Sequence, residues 1–477
     1  MKATDDNIIF PKTPTGVSGL DEITNGGYPT GRPILVCGGP GCGKTMMAIQ
    51  FLVNGIIRDK EPGVFMSFEE TPADLKQNVL SLGFDLDQLI ADKMLRIDHV
   101  RVDASEIEET GEYDLEGLFV RLNYAIDTIG AKRVVLDTIE SLFGGLSNTA
   151  VLRSEIRRLF HWLKDKGVTT IITGEKGEAS LTRQGLEEYV SDCVIFLDFR
   201  VIDQIATRRM RVIKYRGSTH GTNEYPFLID EHGISVLPVT SLKLDYESSD
   251  NIISLGLPAL DNLFSRGGIF EGSSTLLTGT AGTSKTILAS YFALSSCKRN
   301  EPVLFFSFEE SPGQLLRNLK NINLDLEPYI KSGLLHIVAS RPSLHGLEMH
   351  LLTLMKLMAE HKPRTVILDP VSSLITIGST SEVRAMLVRL MDTLKTEKVN
   401  AFFTSLTQLN ASHLESTSVT EISSLADTWI NLQNEERDDE VVRSLVIIKT
   451  RGMGHTSKQQ RFKITNNGIE FIDTPTR

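Results

Sequence analysis

Five blocks of this sequence occur twice, in the same order. The first half carries GVSGLDEITNGGYPTG, LVCGGPGCGKTMMAIQ, GVFMSFEETPADL, RVVLDTIESL and VIKYRGSTHG. The second half carries SLGLPALDNLFSRGGIFEG, LLTGTAGTSKTILASYF, VLFFSFEESPGQL, TVILDPVSSL and IIKTRGMGHT. The offset between matched residues hardly drifts: 241 for Gly38 and Gly279, 240 for Glu69 and Glu309, 232 for Asp137 and Asp369, 235 for Lys214 and Lys449. Such agreement means tandem duplication of a domain about 235 residues long. We expect one domain over residues 1–240 and a second over 241–477, with the polar stretch SLKLDYESSDN (Ser241 to Asn251) as linker.

Within each copy, short β-branched runs alternate with helical periods, the pattern of an α/β fold with a mainly parallel sheet flanked by helices. Ile34–Val36, Val64–Ser67, Val134–Leu136 and Thr169–Thr173 read as buried strands. Leu152, Ile156, Leu159 and Leu163 follow helical spacing and read as core packing.

GGPGCGKT, Gly38 to Thr45, fits G-x-x-x-x-G-K-[ST] between a strand and a helix. Its glycines let backbone N–H groups close around phosphates at a helix N-terminus. Lys44 would reach the outer phosphates, and the Thr45 hydroxyl would bind Mg²⁺. The second loop keeps Gly279, Gly282, Lys285 and Thr286 but has Ser284 where the first has Gly43. A serine is tolerated there if its backbone is already helical, so nucleotide binding is expected and turnover is the open question.

Asp137 and Asp369 end apolar strands, the Walker B arrangement for holding a metal or its water. Glu69–Glu70 and Glu309–Glu310 end strands too. One carboxylate there can orient or deprotonate an attacking water or hydroxyl; the other reading is an acidic turn capping the next helix. KYRGSTH and KTRGMGH each set Lys, Arg and His at i, i+2 and i+6. Alternation puts Lys214 and Arg216 on one face, as phosphate or base contacts or as an exposed basic edge.

Composition limits the rest. A net charge of −11 argues against a duplex-DNA binder. No run nears the roughly 18 apolar residues of a membrane span. MKATDDNIIF lacks an apolar signal core, and the four cysteines fit neither zinc nor disulfide spacing, so reduced thiols in the cytoplasm are expected.

Together the blocks resemble the KaiC family, RecA-like double-domain ATPases and autokinases of bacterial timing systems. The resemblance spans Gly16 to about Ile472 and includes GLEEYVSDCVIFL before KYRGSTHGTNEYPF and EISSLADTWINLQ before KTRGMGH. It implies two tandem RecA-like P-loop NTPase domains and an ATP-dependent homohexamer of two stacked rings, with ATP between protomers. Gly41, Cys42, Gly43, Lys44, Thr45 and Met46 would cradle one nucleotide, with Ser81 nearby. The neighbouring subunit would offer Lys214, Tyr215, Arg216, Ser218 and His220. In the second ring, the run Thr280, Ala281, Gly282, Thr283, Ser284, Lys285, Thr286 and Ile287 would hold the phosphates. Lys449, Thr450, Arg451, Met453 and His455 would come from the neighbour, with Arg443 close by. Glu69 and Glu309 match the family's catalytic glutamates, and Thr286 and Glu309 its metal-associated positions.

The family's second half phosphorylates its own adjacent serine and threonine, and Ser423–Ser424 is the matching pair. The 235 offset lands on Glu188 and Tyr189 in the first copy, so paired hydroxyls belong to the second alone. Departures are Ser284, Ile322 in place of a tryptophan, Thr376 in place of an arginine, and an end at Arg477 without the long tail that meets a phosphorylation-promoting partner; control by that partner is not expected. A KaiB-like partner remains an implication of the resemblance. Two other functions fit the same core. A DNA motor would need basic or aromatic loops, which GGLSNTAVLRSE and ITIGSTSEVR are poor in. An ATP-dependent scaffold would bind nucleotide without kinase activity.

Overall fold

The computed structural model describes residues 10–100, 115–143, 149–177, 181–182, 191–202, 205–238, 249–407, 423–437 and 440–472. By its internal contacts the chain divides into two units, Met1–Ser241 and Leu242–Arg477.

The first unit is built on nine strands: β1 (Pro33–Gly38), β2 (Gly63–Ser67), β3 (Leu95–His99), β4 (Arg133–Asp137), β5 (Thr169–Glu175), β6 (Cys193–Ile202), β7 (Ile205–Tyr215), β8 (Tyr225–Asp230) and β9 (Gly233–Val236). Their order across the sheet is β9-β8-β7-β6-β1-β5-β4-β2-β3. The six strands from β6 to β3 run parallel, and β7, β8 and β9 continue the sheet antiparallel. All four expected strands are present, each extended by one to three residues.

Strand alternation divides the core between two faces. Phe65, Val135 and Ile171 pack with Met47, Phe51 and Leu52 of helix α1 (Lys44–Asn54). Met66, Leu136 and Ile172 pack on the other face with Leu152, Ile156, Leu159 and Leu163, the predicted stripe of helix α2 (Thr149–Asp165). Covered on both sides, the parallel strands carry near-continuous apolar runs.

The second unit repeats the plan with β10 (Ser274–Gly279), β11 (Val303–Ser307), β12 (Leu335–Ala339), β13 (Thr365–Asp369), β14 (Asn400–Leu406), β15 (Thr428–Arg437), β16 (Glu440–Thr450), β17 (Gln460–Thr465) and β18 (Gly468–Ile472). Their order, β12-β11-β13-β14-β10-β15-β16-β17-β18, is the same path through the sheet. Helix α3 (Lys285–Lys298) occupies the place of α1.

The copies differ beneath the first helix. Arg133 is fully buried, its guanidinium donating to Asp59, Glu61 and the carbonyls of Pro14 and Phe51 while lying over the Phe51 ring. Gly55 leaves room for it, since a Cβ there would collide with the guanidinium. Thr365 opens the matching strand in the second unit and bonds to Ser296 instead.

Candidate active sites

At the C-terminal end of β1 the chain turns through the glycine loop into α1. Gly41 (φ 70°) and Gly43 (φ 106°) are left-handed there, the backbone glycine adopts most readily. Lys44 is buried, and its Nζ donates to the carbonyls of Gly38 at 3.0 Å and Gly39 at 3.1 Å. Cys42 and Met46 are buried beside the loop. Thr45 Oγ1 donates to Asp137 Oδ2 at 3.0 Å, and the Thr173 hydroxyl donates to the other oxygen. Burial pushes the Asp137 carboxyl above its ordinary range. The Thr173 and Thr45 hydroxyls pull it back, and the nearby Glu70 and Glu69 charges raise it.

The second loop is built alike. Lys285 Nζ donates to Gly279 O at 2.9 Å, Thr280 O at 2.7 Å and Thr283 Oγ1 at 3.4 Å. Burial lowers the Lys285 ammonium to about 8, against the pull of Asp369 and Glu309. Asp369 is raised by burial and drawn down by bonds from Thr404 and Thr286. Ile287 is half-buried at the edge of the core. The condition under which a serine is tolerated there is a helical backbone, and Ser284 instead has φ 75° and ψ 28°, in the left-handed region. The serine therefore keeps the glycine conformation of the first loop, at a steric cost.

The F-E-E turns lie beside the aspartates. Phe68 N donates to Asp137 O and Phe308 N to Asp369 O, both at 2.8 Å. Ser67 Oγ fixes the Glu70 carbonyl at 2.6 Å, and Ser307 Oγ the Glu310 carbonyl at 2.7 Å. The next helices are capped by Thr71 and Ser311, so capping does not require the glutamate side chains. Glu69 and Glu309 each accept a serine hydroxyl, and Asn78 donates to Glu70 at 3.4 Å. Ser81, exposed, ends the helix that follows Thr71.

The Lys–Arg–His blocks lie elsewhere. Gly38 pairs with Leu197 and Leu197 with Met210, whereas Cys193, at the level of Ile34, pairs with Tyr215. Lys214, the start of the block, pairs with Val194 at the level of Leu35, so at about 3.3 Å per residue it stands roughly 10 Å along the sheet from its own loop. The second unit repeats this, with Gly279, Leu432 and Leu445 at one end and Thr275, Thr428 and Thr450 at the other. A register irregularity precedes the lysine in both copies, where an extra residue re-aims the strand. The loop and the block of one domain therefore lie toward opposite ends of its strands.

Within the first block, Tyr215 is turned inward. Its hydroxyl donates to Gly27 O at 2.9 Å, so its side chain is committed to the core. Ser218 Oγ accepts from Lys12 at 2.7 Å, His220 stacks on Tyr215, and Arg216 pairs with Asp192 at 3.7 Å. In the second block, Arg451 pairs with Asp427 at 3.5 Å, Thr450 meets Thr428, Met453 packs at the core's edge, and His455 bridges to Phe264. Lys449 Nζ donates to Ser423 O at 2.8 Å, and Arg451 donates to Ser424 O at 2.6 Å. Ser423 is buried and Ser424 exposed. The pair thus lies with the block, away from its own loop.

Arg443 Nε donates to Gly282 O at 3.2 Å, within its own loop. Its counterpart at the 235 offset is Arg208, whose charge acts on the Cys42 thiol. Arg208 belongs to none of the repeated motifs, although the repeat offset points to it. Glu188 and Tyr189 lie outside the described residues.

A family model for the KaiC ATPase matches residues 13–241 and again residues 253–476. The chain belongs to the KaiC family. It is 52% identical over 473 residues to "Circadian clock protein KaiC2" of Synechocystis sp., covering 99% of this chain and 83% of that protein. It is 38% identical over 470 residues to "Circadian clock oscillator protein KaiC" of Parathermosynechococcus lividus, covering 98% and 86%. Against the protein of that name from Synechococcus elongatus it is 37% identical over 466 residues, covering 97% and 89%. No helix of the described residues is long and apolar enough to cross a membrane.

Proposed function

We propose that this KaiC-family ATPase hydrolyses ATP in its first domain (1–240) and phosphorylates its own Ser423–Ser424 in its second (241–477). It would work as a homohexamer of two stacked rings and serve as a timing or stress-signalling switch in the cytoplasm. The observation that carries this reading is the separation of loop and block at opposite ends of each sheet. A nucleotide held by one chain's loop would meet Lys214, Arg216 and His220, or Lys449, Arg451 and His455, of the next chain. Ser423–Ser424 would arrive with that second block, so transfer would run between chains.

Lys44 and Lys285 would hold the outer phosphates. The hydroxyls of Thr45 and Thr286, already bonded to Asp137 and Asp369, have the oxygen donors that suit magnesium. Bound there, magnesium would neutralise phosphate charge. Glu69 would take the proton of the attacking water, and Glu309 that of the serine hydroxyl. Arg208 and Arg443, near the loops, would add charge complementary to phosphate. The relatives' names, all of clock proteins, support the timing role. The four buried cysteines, none in a disulfide, suit a reducing compartment. A KaiB-like partner is part of the proposal.

The test is incubation of the full chain with Mg-ATP, peptide mapping by mass spectrometry, and light scattering. Phosphate at Ser423–Ser424, with ATP-driven rings that Lys44→Ala weakens, is the expected result. An unphosphorylated chain with ATP bound in the second domain would leave an ATP-dependent scaffold. Phosphate mainly elsewhere would reject the placement.

A further inference from the structure

In both domains a serine reaches the glutamate from the turn that follows the aspartate strand. Ser141 Oγ donates to Glu69 Oε1 at 2.6 Å, and Ser373 Oγ to Glu309 Oε1 at 2.9 Å. The serines stand 232 residues apart, the same offset as Asp137 and Asp369. Their amides are fixed alike: Ser141 N donates to Thr138 O at 3.3 Å, and Ser373 N to Pro370 O at 3.2 Å. Each serine thus takes its position from the turn that carries the aspartate. A small residue filling a turn would not need its hydroxyl on the same glutamate oxygen in two copies.

The copies differ in one respect. Thr138 Oγ1 lies 3.4 Å from Ser141 Oγ. Because the single Ser141 proton goes to Glu69, Thr138 is the donor in that contact. Pro370 occupies the corresponding place in the second domain, so Ser373 has no threonine behind it.

We propose that Ser141 and Ser373 are positioning residues for the reaction, resting on the reading of Glu69 and Glu309 as proton acceptors. A glutamate side chain turns about three torsions, and an exposed carboxylate samples many of them. A charge-assisted bond to one oxygen narrows that choice and aims the other oxygen. It also ties the proton acceptor to the turn bearing Asp137 or Asp369, so the metal side and the base side of the site move together.

The test uses the full chain carrying Ser141→Ala, Ser141→Thr, Glu69→Gln and the Ser141→Ala/Glu69→Gln pair, with Lys285→Ala silencing the second site throughout. Ser141→Ala should lower kcat about tenfold with KM changed less than twofold, because aim and not binding is lost. Ser141→Thr should recover most of the rate. Added to Glu69→Gln, Ser141→Ala should cost nothing further, since it acts through that carboxylate. An unchanged kcat for Ser141→Ala, or an independent loss in the Glu69→Gln background, overturns the serine proposal while Glu69 stands. Unimpaired turnover in Glu69→Gln overturns both.

Discussion

Exchanging the residues before the two loop lysines should have opposite and unequal effects. Gly43 sits at φ 106° and Ser284 at φ 75°, and both precede a buried lysine held by loop carbonyls. An L-residue in this region carries about 1–2 kcal/mol of steric strain. Placing glycine there relieves it but loosens the unfolded chain, which offsets about 0.4–1 kcal/mol. Ser284→Gly should therefore stabilise the second domain by about 1 kcal/mol. For Gly43→Ser the strain returns at a less favourable φ, and the new Cβ would meet Ile229 Cδ1 at 2.8 Å. The end of a flexible side chain can yield, at a cost near the lower limit for overpacking, so the net loss is about 2 kcal/mol. In a domain of this size each kcal/mol moves the midpoint about 2–4 °C. Calorimetry of the full chain, with domain transitions assigned by Lys44→Ala and Lys285→Ala in the presence of ATP, reads both changes. A lowered second-domain midpoint in Ser284→Gly, or an unmoved first-domain midpoint in Gly43→Ser, would refute the strain argument.

Three further outcomes follow from the same geometry. Glu69→Gln with Glu70→Gln should cut first-domain turnover roughly 10²–10⁴-fold while nucleotide binding survives, measured with the second site silenced; intact turnover rejects the assignment. Lys285 is lowered to about 8, and phosphate would raise it on binding. ATP affinity of the second domain should accordingly be full below pH 8 and fall at higher pH by at most about tenfold per unit, until the pKa of the bound form is passed. Calorimetric titration of a Lys44→Ala chain reads this, and a flat affinity from pH 7 to 10 contradicts it. Arg133→Ala should destabilise the first domain by about 2–3 kcal/mol in a denaturant series, below the usual figure for a broken buried pair because Asp59 and Glu61 are about a third exposed and can rehydrate.

The duplicated blocks made the fold legible in the sequence, because apolar strands and glycine loops impose their conformations locally. The four strands and the Leu152–Leu163 stripe were visible for that reason. What the sequence hid was set by neighbours distant in the chain. The left-handed Ser284 depends on a loop path that its own residue type disfavours. Nothing within KYRGSTH tells that Gly27, far upstream, holds the Tyr215 hydroxyl in the core. Arg208 carried no motif and was detectable only through its offset from Arg443. The separation of loop and block appeared once strand register was known, since it depends on β7 and β16 running antiparallel.

Transfer between chains can be measured by mixing two variants. One chain carries Lys285→Ala, which impairs its second loop but leaves Ser423–Ser424. The other carries Ser423→Ala and Ser424→Ala with an intact second loop. After mixing with Mg-ATP under assembling conditions, mass spectrometry should find phosphate on Ser423 or Ser424 of the Lys285→Ala chain, and neither variant alone should be phosphorylated there. If the wild-type chain phosphorylates these serines but the mixture leaves them bare, transfer runs within one chain and the account is contradicted.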